Sequence, residues 1–90
     1  MQNREVQVVN PLGLHARPSA QVSQLASRFR AEVWLTRNSR RVNGKSIMGV
    51  MMLAAAKGSV IQIETEGPDE LDALVALQAL FASGFDDFLS

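Results

Sequence analysis

The sequence predicts an α+β fold: a four-stranded antiparallel sheet with three helices on one face, in the order βαββαβα. Along the 90 residues, hydrophobic periodicity switches repeatedly between the strand and helix values. Each strand-like stretch is half polar, which suits a sheet covered on one side rather than a parallel sheet buried on both. A sheet with one apolar face must bury it, and three helices suffice. A ferredoxin-like arrangement shares most of this order, and periodicity alone does not separate the two. The length fits a single domain over 1–90 with one core.

The first strand is expected at about Glu5 to Val9, with Val6 and Val8 inward, before Pro11 and Gly13 break it. A helix follows from about Ala16 to Phe29, its apolar face carrying Pro18, Val22, Leu25, Ala26 and Phe29. Ala31 to Arg37 reads as a strand with Val33 and Leu35 inward. Asn38-Ser39 is turn chemistry, and Arg40 to Val42 forms the return strand, its arginines suited to an edge. Ser46 is a good N-cap for a helix over about Ile47 to Ala56, which stops at Lys57-Gly58. Ile47, Met48, Val50, Met51, Met52 and Leu53 are too many apolar residues for one face, so some should form an exposed, adaptable patch. Ser59 to Glu66 alternates as a strand, with Ile61, Ile63 and Thr65 inward. Asp69, Glu70 and Asp72 then open the last helix, with Leu71, Leu74, Val75, Gln78 and Phe81 on its inner face and Gly84 at its end. Phe85 to Ser90 is expected to be partly disordered.

Composition narrows the function. The chain is 47% hydrophobic and 20% charged, as ordinary soluble proteins are. It has no cysteine, which fits a reducing compartment. Polar residues at 2–5 stand where a secretory signal would be apolar, and no apolar run approaches membrane-spanning length. A cytoplasmic location without membrane insertion is expected. Zero net charge hides a polarised chain: residues 1–45 carry eight Lys/Arg against two acids (+6), and residues 46–90 carry one lysine against seven acids (−6). A basic face would attract acidic protein partners. Nucleic acid is not an expected partner, because the chain is neutral overall and poor in stacking aromatics.

The only histidine lies in Asn10-Pro11-Leu12-Gly13-Leu14-His15-Ala16-Arg17-Pro18-Ser19-Ala20, where a strand gives way to a helix. Pro18 suits a first helical turn, where a missing N–H is no loss. His15 therefore sits at a helix N-terminus, beside unpaired amides and the positive end of the dipole, with the Arg17 guanidinium two residues on. Such a set pairs a nucleophile with an anion site, and points to phosphate. The commoner use of such a histidine is as a helix cap or a packed ring. With one histidine and no cysteine, no metal site is expected, nor any cofactor. Ser19 lacks a recognisable oxyanion hole or second base, so a hydrolytic triad is not expected.

Gly13 to Pro18 (Gly-Leu-His-Ala-Arg-Pro) resembles the active-site motif of HPr, the phosphocarrier family of the bacterial phosphoenolpyruvate:sugar phosphotransferase system. Val42 to Leu53 (Val-Asn-Gly-Lys-Ser-Ile-Met-Gly-Val-Met-Met-Leu) is similar to the segment around that family's regulatory serine. The separation of the motifs and the chain length also match. The resemblance implies the HPr-like open-faced β-sandwich and disfavours the ferredoxin-like order. It implies that His15, through Nδ1, accepts a phosphoryl group from phosphorylated enzyme I and passes it to an EIIA-type protein. Arg17 would hold phosphoryl oxygens, and Ile47, Met48, Met51 and Ala20 would bind partners. Ser46 would be the target of an HPr kinase/phosphorylase, and the carrier is expected to be a monomer. Asn10 to Gly13 and Ala79 to Asp86 are similar to the nitrogen-related branch, NPr, whereas the Ser46 block is similar to HPr forms that work with the serine kinase. Sugar transport and nitrogen-related regulation both stay open, as does an acidic-protein-binding module that needs no His15. An RNA-binding α+β domain would have only Trp34 to stack bases on its sheet.

Overall fold

The computed structural model describes residues 1–86. Strands β1 (Gln2–Gln7), β2 (Glu32–Arg37), β3 (Arg40–Asn43) and β4 (Val60–Glu66) are interspersed with helices α1 (Ala16–Ala26), α2 (Ile47–Met51) and α3 (Glu70–Ala82), in the predicted order. The strands make one antiparallel sheet ordered β1-β4-β2-β3. Its register sets Val33 opposite Thr65, Leu35 opposite Ile63 and Val6 opposite Ile61. Val33, Leu35, Ile61, Ile63 and Thr65 are fully buried, as their alternation requires. They meet Val22 and Ala26 of α1, Val50 of α2, and Leu74, Leu77 and Phe81 of α3 in one core. Thr65 keeps its hydroxyl satisfied by donating to the Glu70 carbonyl at 2.8 Å.

Several boundaries differ from the sequence expectation, each for a local reason. β1 begins at Gln2 because the seven-residue β4 offers a backbone ladder to Gln2, Asn3 and Arg4, which show no alternation of their own. α1 ends at Ala26 instead of Phe29. The amides of Arg28 and Phe29 bond three residues back, to Leu25 and Ala26, so the last turn tightens. α2 ends at Met51 instead of Ala56 for the same reason: Leu53 and Ala54 bond back to Val50 and Met51, and Ala54 turns left-handed at φ 50°.

α3 buries Ala73, Leu74, Leu77 and Phe81, while the expected Leu71 and Val75 are more than half exposed. Its sequence is apolar on almost every side, so periodicity does not select a face. Packing on β1 and β4 does. Phe85, expected in a disordered end, is also in the core. Gly84 and Phe85 both take left-handed φ in a single 3-10 turn. The fully buried Phe85 ring stands edge-on to Phe81, with centroids 5.1 Å apart. The rest of the expected disordered end, residues 87–90, lies outside those described.

Asp69 sits at the N-cap of α3, but its carboxylate accepts the amides of Arg30 (2.9 Å) and Ala31 (2.8 Å) from the loop after α1. The Arg30 amide is the main influence holding its pKa below the ordinary 3.8, helped by the Ala31 amide and Lys45 against partial desolvation. A depressed carboxylate pKa contributes stability that is complete above the unfolded value and lost as pH falls through the folded one. Asp69→Asn is therefore expected to lower stability at pH 7 and to flatten the acid limb below about pH 4. Denaturant midpoints measured from pH 2 to 7 check this, and parallel curves for the two proteins would contradict it.

Candidate functional site

Residues 8–15 connect β1 to α1, and both ends of this segment are pinned. The Val8 amide donates to the Ser59 carbonyl at 2.9 Å. Within the turn, Asn10 Nδ2 donates to the Gly13 carbonyl (2.8 Å) and the Gly13 amide to the Asn10 carbonyl (3.2 Å). Buried Leu14 donates its amide to the Ala55 carbonyl at 2.8 Å, tying the turn to the chain beyond α2. Gly13, at φ +68°, lies so close that a Cβ there would overlap the Ala55 carbonyl oxygen and come within 2.9 Å of the Ala56 Cα.

His15 follows as the N-cap of α1, with extended backbone (φ −78°, ψ −168°) and a half-buried side chain. Its carbonyl accepts the Ser19 amide at 3.0 Å, the first bond of the helix. The amides before that bond have no acceptor within the helix, and Pro18 has none to satisfy. The Ser19 hydroxyl returns to the Leu14 carbonyl at 3.2 Å, so the chain is held on both sides of His15. The imidazole makes no capping hydrogen bond. Thus the cap reading of His15 fails for its side chain. Arg17 is exposed in the first turn, where no acidic residue lies.

Ser46 does cap its helix. Its hydroxyl accepts the Gly49 amide at 3.0 Å, and its carbonyl takes the Val50 amide at 3.0 Å. Ser46→Ala is expected to cost about 1 kcal/mol, read as a lower denaturant midpoint with unchanged slope.

The apolar excess of α2 resolves into two sides. Val50 and Leu53 enter the core, while Ile47 (43% exposed), Met48 (69%), Met51 (39%) and Met52 (58%) face outward. α1 packs against α2, and Ser23 Oγ donates to the Lys45 carbonyl at 2.7 Å. The start of α1 and the outer side of α2 are thereby carried on neighbouring helices, with Ala20 of α1 half-buried. Leu12, 60% exposed in the turn before Gly13, is an addition the sequence reading missed. A large apolar residue caught between Pro11 and Gly13 was its signal.

The basic residues do not all gather at His15. Lys45 Nζ donates to the Phe29 carbonyl, Arg41 lies 4.3 Å over the Trp34 ring and pairs with Glu64, and Arg37 and Arg40 reach the far end of α2. Trp34, the only candidate base-stacking residue, is thus occupied by Arg41. Among the described residues there is no cluster of three metal-ligating side chains, and no helix long and apolar enough to cross a membrane.

The family model describing the PTS HPr component phosphorylation site matches residues 2–83. Phosphocarrier protein HPr of Neisseria meningitidis is 54% identical over 87 residues, 97% of this chain and 98% of that protein. Phosphocarrier protein NPr of Klebsiella oxytoca is 42% identical over 83 residues, 91% of this chain and 92% of its own length. The crystal structure of HPr-C-His from Thermoanaerobacter tengcongensis superposes with a TM-score of 0.91 at 41% identity, covering 94% of this chain and 96% of that one. Matched through both the His15 and Ser46 segments and alike in fold, the chain belongs to the HPr family of phosphocarriers of the phosphotransferase system.

Proposed function

We propose that His15 takes a phosphoryl group from phosphorylated enzyme I and hands it to an EIIA-type protein. The observation that carries this is a histidine placed as the N-cap residue of α1, whose ring makes no capping hydrogen bond. A ring nitrogen attacks the phosphorus with its lone pair. As that P–N bond forms, the bond from phosphorus to enzyme I breaks and its electrons return to enzyme I. The transferred oxygens meet the first-turn amides of α1 and the Arg17 guanidinium. Transfer to the EIIA-type protein repeats the step in reverse, so the grip must stay moderate. The test is intact mass after incubation with enzyme I and phosphoenolpyruvate. One acid-labile phosphate supports the reading, and no gain with an active enzyme I overturns it.

Ile47, Met48 and Met51, with Ala20 on the adjacent helix, serve as the docking surface for these proteins. Ser46 is the second modification site, for an ATP-dependent HPr kinase/phosphorylase. Ser46 immediately precedes exposed Ile47, so phosphorylation would set a double negative charge against the apolar patch and weaken docking. A mass shift with kinase and ATP that survives Ser46→Ala would rule out the site. Exposed Leu12 favours a second, NPr-type route, since it lies three residues before His15 in the segment similar to that branch. Rates of hand-over to sugar-type and nitrogen-type EIIA proteins decide between the two.

A further inference from the structure

At the end of α2 away from Ser46, a cleft of about 710 Å3 opens between that helix and the β2–β3 hairpin. It is lined by Arg37, Asn38, Ser39, Arg40, Met52, Leu53 and Ala54, and no acidic residue takes part. Arg37 and Arg40 stand directly opposite each other in the hairpin register. Like charges in such a pair repel, and the arrangement costs stability. Arg37 Nη1 donates to the Leu53 carbonyl (3.3 Å) and Arg40 Nη1 to the Met52 carbonyl (3.0 Å), which aims both guanidiniums at the cleft. Neither is ion-paired to a carboxylate among the described residues. Arg41, one residue on and facing the opposite side of the sheet, has both Glu64 and the Trp34 ring. Of the three hairpin arginines, the two without a carboxylate partner among the described residues thus lie on the α2 side, and the exposed Met52 joins them to the apolar patch.

We infer that this cleft extends the docking surface beyond α2, and that it receives an acidic segment of enzyme I. A carboxylate of that segment bridges Arg37 and Arg40, relieving their repulsion through charge-assisted hydrogen bonds, while an apolar neighbour packs on Met52. The assignment rests on the phosphocarrier reading above. A protein segment is favoured over a small anion because the cleft is open and continuous with exposed methionines.

The test compares wild type, Arg37→Gln/Arg40→Gln and Arg37→Lys/Arg40→Lys for binding to purified enzyme I by titration calorimetry, and for phosphorylation kinetics at two salt concentrations. Thermal melts confirm that each variant is folded. The Gln variant is expected to bind about tenfold more weakly, with the loss in KM rather than kcat and a flatter salt dependence, and the Lys variant to recover most of it. A folded Gln variant that matches wild type in binding and salt dependence overturns the cleft assignment and leaves the phosphocarrier reading intact. So does a shift of the Arg37 and Arg40 side-chain NMR signals with inorganic phosphate but none with enzyme I. A wild-type protein that enzyme I neither binds nor phosphorylates overturns both.

Discussion

His15→Ala is expected to accept no phosphate from enzyme I while folding as the wild type does. The backbone around residue 15 is fixed by bonds that alanine retains: Leu14 amide to Ala55 carbonyl, and Ser19 amide to the residue-15 carbonyl. Because the imidazole does not cap α1, its removal takes no cap from the helix. His15→Asp sharpens the test. An aspartate at an N-cap can accept a first-turn amide and typically stabilises a helix by about 1 kcal/mol over a non-capping residue. The aspartate variant should then melt higher than wild type and still carry no acid-labile phosphate. Two measurements suffice, intact mass and a thermal melt. A His15→Ala protein that still becomes labelled would place the acceptor elsewhere.

Gly13→Ala is expected to damage both stability and transfer. Left-handed backbone costs a non-glycine residue about 1–2 kcal/mol. The added methyl also overlaps the Ala55 carbonyl, the acceptor for the Leu14 amide, so that bond must stretch or break. Losing it adds about 0.5–1.5 kcal/mol, for a total of about 1.5–3.5 kcal/mol, a large share of the roughly 5–15 kcal/mol that holds a native domain together. The overlap can be relieved only by moving the turn off residues 55–56, and His15 is two residues away. A displacement of this kind costs up to about a hundredfold in rate. Urea titration and initial rates of phosphorylation should show both losses together. A Gly13→Ala protein with wild-type stability would mean that the turn moves freely, contrary to its bonding.

Much of the fold was legible because the sheet uses strict alternation. Val33 and Leu35, and Ile61, Ile63 and Thr65, were assigned inward, and all are fully buried. What failed was written in no period. The face of α3 could not be chosen from a sequence that is apolar all round, and Phe85 looked like an unattached end because its burial depends on two successive left-handed residues. Helix ends were overextended where three-residue bonds tighten the chain, at Phe29 and after Met51. At the site, the helix start at His15 and the cap at Ser46 followed from local chemistry. The hold of Ala55 on Leu14 joins positions 41 residues apart, and no short motif encodes it. Nor does any motif show that Arg37 and Arg40 reach back to α2.

The strand order carries a consequence for how the carrier comes into being. Apart from the β2–β3 hairpin, every ladder in the sheet joins distant parts of the chain, and β1 meets only β4, with Gln7 opposite Val60. Closing such loops must precede any gain from the contacts, which places the domain among slower two-state folders. During synthesis, the residue-10 turn is made early but has nothing to rest on until residues 55–60 have left the ribosome. The geometry around His15 is thus assembled late, so a partly made chain would present the motif without the site.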